Sequence, residues 1–185
     1  MGDRIMGLTL VNTTGAISSG TADVEITGLS DAYKAYEFHF YNIHLSASSA
    51  DFEFQVNTNY NQDINTTALR AWTYDNDTHS KDFTYQSSAD QTVGDSSGTW
   101  CCIAENVNSS NTENSLSGVM VLFDPSSTTY SKHFIAHTDM QTSTTYMQYT
   151  QTAGYVKTTS AIDKIKFRFG SGNIDSGEIK WFGYS

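Results

Sequence analysis

Alternation of apolar and polar residues at period two constrains this sequence more than any other feature, and it is cleanest near the C-terminal end. Ile165, Phe167 and Phe169 alternate with Lys164, Lys166 and Arg168, the signature of a strand with one buried and one wet face. The stretch Gly170-Ser171-Gly172-Asn173 follows, and then a second alternating run over Glu178, Ile179, Lys180 and Trp181. The spacing predicts two strands closed into a β-hairpin that forms a central pair of the sheet, with Gly172, Asn173 and Gly177 shaping its turn.

The same period recurs upstream. Val24 and Ile26 alternate with Asp23, Glu25 and Thr27; Tyr36, Phe38 and Phe40 alternate with Glu37, His39 and Tyr41; Phe52, Phe54 and Val56 repeat the pattern. Aromatics at this spacing fill a core. Over 116–123 both faces are apolar, with Leu116, Met120 and Leu122 on one and Val119, Val121 and Phe123 on the other. That implies burial on both sides or a face turned to another subunit, so Val119, Val121 and Phe123 are candidates for subunit packing. Asp124-Pro125, holding the only proline, ends this strand.

Ser and Thr make up about a quarter of the 185 residues, while charged residues are 16%. Strong helix formers are sparse and aromatics reach 13%, a balance suited to pleated surfaces. The expectation is one all-β domain over 1–185, an antiparallel jelly-roll β-sandwich of about ten short strands, with a long polar excursion around 57–100 where alternation weakens.

A net charge of −10 without a basic stripe weighs against nucleic acid, whose binding needs cations against phosphates. Lys164, Lys166 and Arg168 read as a solvated face or a ladder to acidic neighbours, and as a candidate face for an acidic partner. No apolar run is long enough for a membrane helix, and residues 1–10 have no continuous apolar segment of a secretion signal. Synthesis in a cytoplasm without membrane partnership is the expectation.

No reaction motif emerges. His133 and His137 have the spacing of a helical zinc pair, but Phe134 stands where a metalloprotease has Glu, and on a strand the two lie about 13 Å apart. Around Asp75, Asp77 and Asp82 the acids resemble a calcium loop, yet Ser80 and Gln86 occupy the positions of the required Gly and Glu; a hydrated acidic turn is preferred over a weak calcium site. Cys101 and Cys102 are adjacent, so they read as reduced small hydrophobes. No catalytic residue, metal or cofactor is expected.

Several segments in succession carry a resemblance. They are Ala22-Asp23-Val24-Glu25-Ile26-Thr27-Gly28-Leu29, the Tyr-rich run 33–38, Asn42-Ile43, Phe52-Glu53-Phe54-Gln55-Val56-Asn57, Ser117-Gly118 leading to Asp124-Pro125, and 161–165 with 171–179. In order and spacing the chain resembles small jelly-roll virion structural proteins of tailed bacteriophages, of the marine and cyanobacterial type. The resemblance is weakest over 58–100. It implies a non-enzymatic protein on the particle surface, a head decoration or knob or a tail-associated component, commonly a homotrimer, docked on other virion proteins of capsid or tail. The alternative is a receptor- or glycan-binding jelly roll, a tail-fibre tip or lectin-like module. Its candidate contacts to a host-surface glycan are Trp72, Tyr74 and Trp100.

Overall fold

In a computed structural model, residues 7–57, 59–74, 83–92, 99–141 and 146–185 are described. These residues form twelve strands and no helix: β1 (Leu8–Thr13), β2 (Asp23–Thr27), β3 (Ala35–Leu45), β4 (Ser49–Val56), β5 (Ile64–Tyr74), β6 (Thr84–Tyr85), β7 (Cys101–Asn108), β8 (Leu116–Phe123), β9 (Lys132–Gln141), β10 (Tyr146–Val156), β11 (Lys164–Phe169) and β12 (Ile174–Tyr184). Every pairing is antiparallel. Two sheets result, an eight-stranded one in the order β1-β12-β3-β8-β9-β10-β5-β6 and a four-stranded one in the order β2-β11-β4-β7. The fold is all-β and sandwich-like.

The alternating runs point their large residues into the space between the sheets. Tyr36, Phe38 and Phe40 from β3, Phe52 and Phe54 from β4, and Phe167 from β11 are each at most 1% exposed. Phe167 touches four other rings, with centroids 5.0 Å from Phe40, 5.5 Å from Phe38, 6.0 Å from Phe52 and 6.4 Å from Phe54. Burying side chains of this size stabilises the fold by roughly 1.5–3 kcal/mol each.

The expected closing hairpin does not form. β11 lies between β2 and β4 in the smaller sheet, while β12 lies between β1 and β3 in the larger one. The segment joining them therefore carries the chain from one sheet to the other. Alternation specifies that a strand has a buried face but not which neighbour it pairs with. Both strands are internal to their own sheets, and the connection is fastened to other parts of the molecule. Gly170 N donates to Asp51 O at 2.9 Å, and Ser46 N donates to Asn173 O at 2.9 Å. Gly172 has φ +73° and belongs to this connection. Gly177 belongs inside β12, at a bulge facing Asn42 on β3. There φ is +125°, and a Cβ would stand 2.9 Å from Asn42 O, so glycine alone fits without strain.

The segment 57–100, expected as a polar excursion, contributes all of β5 and β6 to the large sheet. β5 pairs with β10 along eleven residues. Between Ile64 and Trp72 its inward positions carry Thr66, Ala68 and Arg70 in place of large apolar side chains, so the alternation that marks other strands is muted. β10 runs unbroken from Tyr146 to Val156, through Ala153 and Gly154. Asp124-Pro125 does end β8: Ser127 N donates to Asp124 O at 3.0 Å in the turn that follows.

Candidate functional site

Three surfaces hold the residues singled out by sequence. The first is the outward face of the eight-stranded sheet. Val119, Val121 and Phe123 project from β8 away from the core, and Phe123 is 42% exposed. Register places Val121 beside Ile135 of β9, itself 37% exposed, and Phe123 beside Ala35 of β3. Val121 and Phe123 line an apolar hollow of about 360 Å³ with Lys34, Ala35 and Tyr184. Leu8 and Leu10 extend the apolar surface at β1, opposite Tyr184 and Phe182. Of the two explanations for an all-apolar β8, enclosure by the protein's own layers does not apply: among the described residues no element covers this face.

A polar network borders the hollow. Glu37 lies 2.5 Å from His39 Nε2 and accepts a hydrogen bond from the Tyr184 hydroxyl, while His39 Nδ1 lies 3.1 Å from the Tyr41 hydroxyl. The Tyr184 hydroxyl is held protonated, its pKa raised by that bond to Glu37. Sequence reasoning missed Ile135 and Tyr184. The outward register of Ile135 between His133 and His137 was legible; the approach of Tyr184 to β8 required the pairing order.

The second surface is the outward side of the four-stranded sheet, with Lys164, Lys166 and Arg168 on β11. Two of its three cations, Lys166 and Arg168, are matched inside the chain. Lys166 Nζ lies 3.3 Å from Asp23 and 3.8 Å from Glu25, and Arg168 Nε lies 3.2 Å from Glu53. Rings complete the arrangement: the Arg168 guanidinium sits 3.8 Å over Trp100, Lys166 Nζ sits 4.4 Å over Tyr60, and Tyr60 stacks with Trp100 at 6.0 Å. The Tyr60 hydroxyl donates to Glu25, which lowers the Glu25 pKa. Burial raises the Glu53 pKa, against the pull of Arg168. This is the ladder to acidic neighbours, supplied by β2 and β4.

The third surface is a groove of about 330 Å³ on the inward side of the large sheet, beside the edge strand β7. It is lined by Arg70, Trp72, Tyr74, Asn106, Tyr146 and Gln148. Arg70, Trp72 and Tyr74 occupy alternate positions of β5 and so share one face; Trp72 and Tyr74 pair with Gln148 and Tyr146 of β10. The Tyr74 and Tyr146 rings lie 5.1 Å apart, and the Arg70 guanidinium sits 5.2 Å from the Trp72 ring centre. Beneath them Glu105, 5% exposed, accepts from Arg70 Nη1 at 3.4 Å and from the Ser88 hydroxyl at 2.5 Å. Gln148, 3% exposed, donates to the Glu105 carbonyl at 3.0 Å.

Of the three expected glycan contacts the structure thus brings together Trp72 and Tyr74. Trp100 is elsewhere, on the outward side of the other sheet. Arg70 could have been found from its period-two spacing with Trp72 and Tyr74; Gln148, Tyr146 and Asn106 carry no sequence signal because they come from other strands.

The remaining singled-out residues take structural places. His133 contacts the Tyr155 ring at 5.8 Å, and His137 Nδ1 lies 2.5 Å from the Tyr149 hydroxyl. Among the described residues no cluster of three or more His, Cys, Asp or Glu could hold a metal. The acidic run Asp75–Asp82 lies outside the described residues. Cys101 and Cys102 are both free thiols with pKa values raised by burial, which keeps them protonated and unreactive. Among the described residues no helix is long and apolar enough to cross a membrane. Comparison with protein-family models, curated proteins and solved structures finds no match to this chain.

Proposed function

We propose that this chain is a non-enzymatic jelly-roll structural protein of a bacteriophage particle, displayed on the virion as a head decoration, knob or tail-associated component. It acts by burying surface, with its large sheet packed against further copies in a homotrimer. The ordered succession of segments from Ala22 to Ile179 supports the virion assignment. The single observation that carries the assembly reading is the open apolar face around Val119, Val121, Phe123 and Ile135. The outward face of the whole sheet, of which this apolar patch is one part, has the size of an interface. Eight strands spaced at about 4.8 Å span about 34 Å, and the seven paired residues of β8 and β9, at about 3.4 Å each, extend about 24 Å, an area near 800 Å². A standard interface buries about 800 Å² per partner. Glu37 and His39 lie within this face, between β8 and β12, and add hydrogen-bonding groups to its apolar ones.

Light scattering coupled to size exclusion tests the assembly. A trimer of the 20.4 kDa chain is expected at micromolar concentration, and Phe123→Glu with Ile135→Glu is expected to give a folded monomer. A wild-type monomer would remove the assembly reading. Mass spectrometry of purified particles tests the location, and absence of the chain from particles would remove the virion assignment.

A further inference from the structure

We infer that the groove between β5, β10 and the edge strand β7 is a carbohydrate-binding site, selective for a neutral glycan, with Trp72, Tyr74 and Tyr146 as stacking surfaces. Arg70, Asn106 and Gln148 supply the hydrogen-bonding edge. This site is on the inward side of the large sheet and is independent of the outward face proposed for assembly.

Its chemistry is amphipathic in a particular way. Three aromatic rings lie within one groove of about 330 Å³, next to two amides and one guanidinium. A hexose ring presents an apolar C–H face and a rim of hydroxyls that both donate and accept. Amide side chains do the same, which suits hydroxyls better than it suits an anion or a purely apolar ligand.

The site is also held in place before any ligand arrives. Gln148 is pinned to the Glu105 carbonyl, and Arg70 is braced between the Glu105 carboxylate and the Trp72 ring. Asn106 sits at φ +55°, its N–H donating to Asp51 Oδ1 at 2.8 Å. Gln148 and Arg70 therefore have few rotamers left to freeze on binding, so more of their contact energy appears as affinity.

Two other ligand classes fit less well. An extended peptide would need a free strand edge. β6 covers β5 only at Leu69 and Arg70, and at the groove itself the β7 carbonyls of Ile103 and Glu105 already accept from Thr138 and Gln148. Nucleic acid or an acidic glycan would need uncompensated cations. Among the described residues the one cation lining the groove, Arg70, is matched by Glu105, and the chain carries a net charge of −10.

The test applies the full chain to an array of neutral hexose and N-acetylhexosamine oligosaccharides, with uronic-acid and sialylated glycans alongside. Retention of a neutral glycan is expected, weakened about tenfold or more by Trp72→Ala and by Tyr74→Ala, and unchanged by Trp100→Phe. Tyr74 is 36% exposed, so Tyr74→Ala keeps the test decisive if Trp72→Ala unfolds the protein. The inference is overturned if no neutral glycan is retained, if acidic glycans are preferred, if neither groove variant weakens binding, or if Trp100→Phe weakens it equally.

Discussion

The two ends of the interior are built from different materials. Where β3, β8 and β12 face β4 and β11, the space is filled by interlocking aromatic rings around Phe167. Where β9, β10 and β5 face β7, polar Thr138, Thr150, Thr152, Gln148, Arg70 and Glu105 enter the interior beside Ile103, Val107 and Met140; among the polar six only Arg70 exceeds 5% exposure. The difference follows from what covers each end. The first is roofed by strands paired on both sides. The second is roofed by β7, the edge of the small sheet, whose outer carbonyls have no strand to bond. Thr138 and Gln148 reach across the interior to satisfy the carbonyls of Ile103 and Glu105. An aromatic interior yields stability that scales with buried area, and a hydrogen-bonded one yields geometry. The groove is at the second end.

Substitutions separate these two kinds of interior. The largest effect is expected from Phe167→Ala, which removes the ring that touches four others; a loss of about 3–5 kcal/mol is expected in denaturant unfolding. A loss below that of the next variant would show that the aromatic end is not the main source of stability. Thr138→Val keeps the shape but leaves Ile103 O without its donor, and a loss of about 1–3 kcal/mol is expected. An unchanged denaturation midpoint would mean the carbonyl does not depend on Thr138.

The smallest effect concerns pH. Lys132 is buried at the margin between the two ends, its Nζ donating to Thr158 O at 3.0 Å. Burial lowers its pKa below the ordinary 10.5, partly offset by Asp124. The folded state therefore releases this proton at lower pH than the unfolded chain does, so the unfolded chain binds more protons in the window just below 10.5. There the group adds stability as pH rises. Lys132→Met should remove that increment, seen as a shallower dependence of the thermal midpoint on pH than in the wild type. Parallel curves would refute the assignment.

The aromatic end was legible in the sequence because period two and side-chain size coincide there. Phe38, Phe40, Phe52, Phe54 and Phe167 were each readable as core before any pairing was known. The polar end was not. β5 shows only weak alternation because Thr66, Ala68 and Arg70 occupy its inward positions between Ile64 and Trp72, and its role emerges only from its neighbours. The closing pair of strands shows the same boundary from the other side. Each strand was identified correctly, while their partners were not, since pairing order is settled by the whole sandwich. Two of the six residues lining the groove, Trp72 and Tyr74, were named from residue type; Trp100 was named with them and is committed to Arg168 and Tyr60 instead.

The crossing of the chain between β11 and β12 also sets an order in time. β2 waits for β11 and β1 waits for β12, so that Leu8 finds its partner only when Tyr184 is available. A ribosome emitting this chain releases β3 with one flank open until Ile174–Tyr184 has emerged and slotted between it and β1. Sheets closed by such distant segments assemble on the millisecond-to-second scale rather than in microseconds. During that interval the nascent chain exposes the strand edges that β11 and β12 will seal.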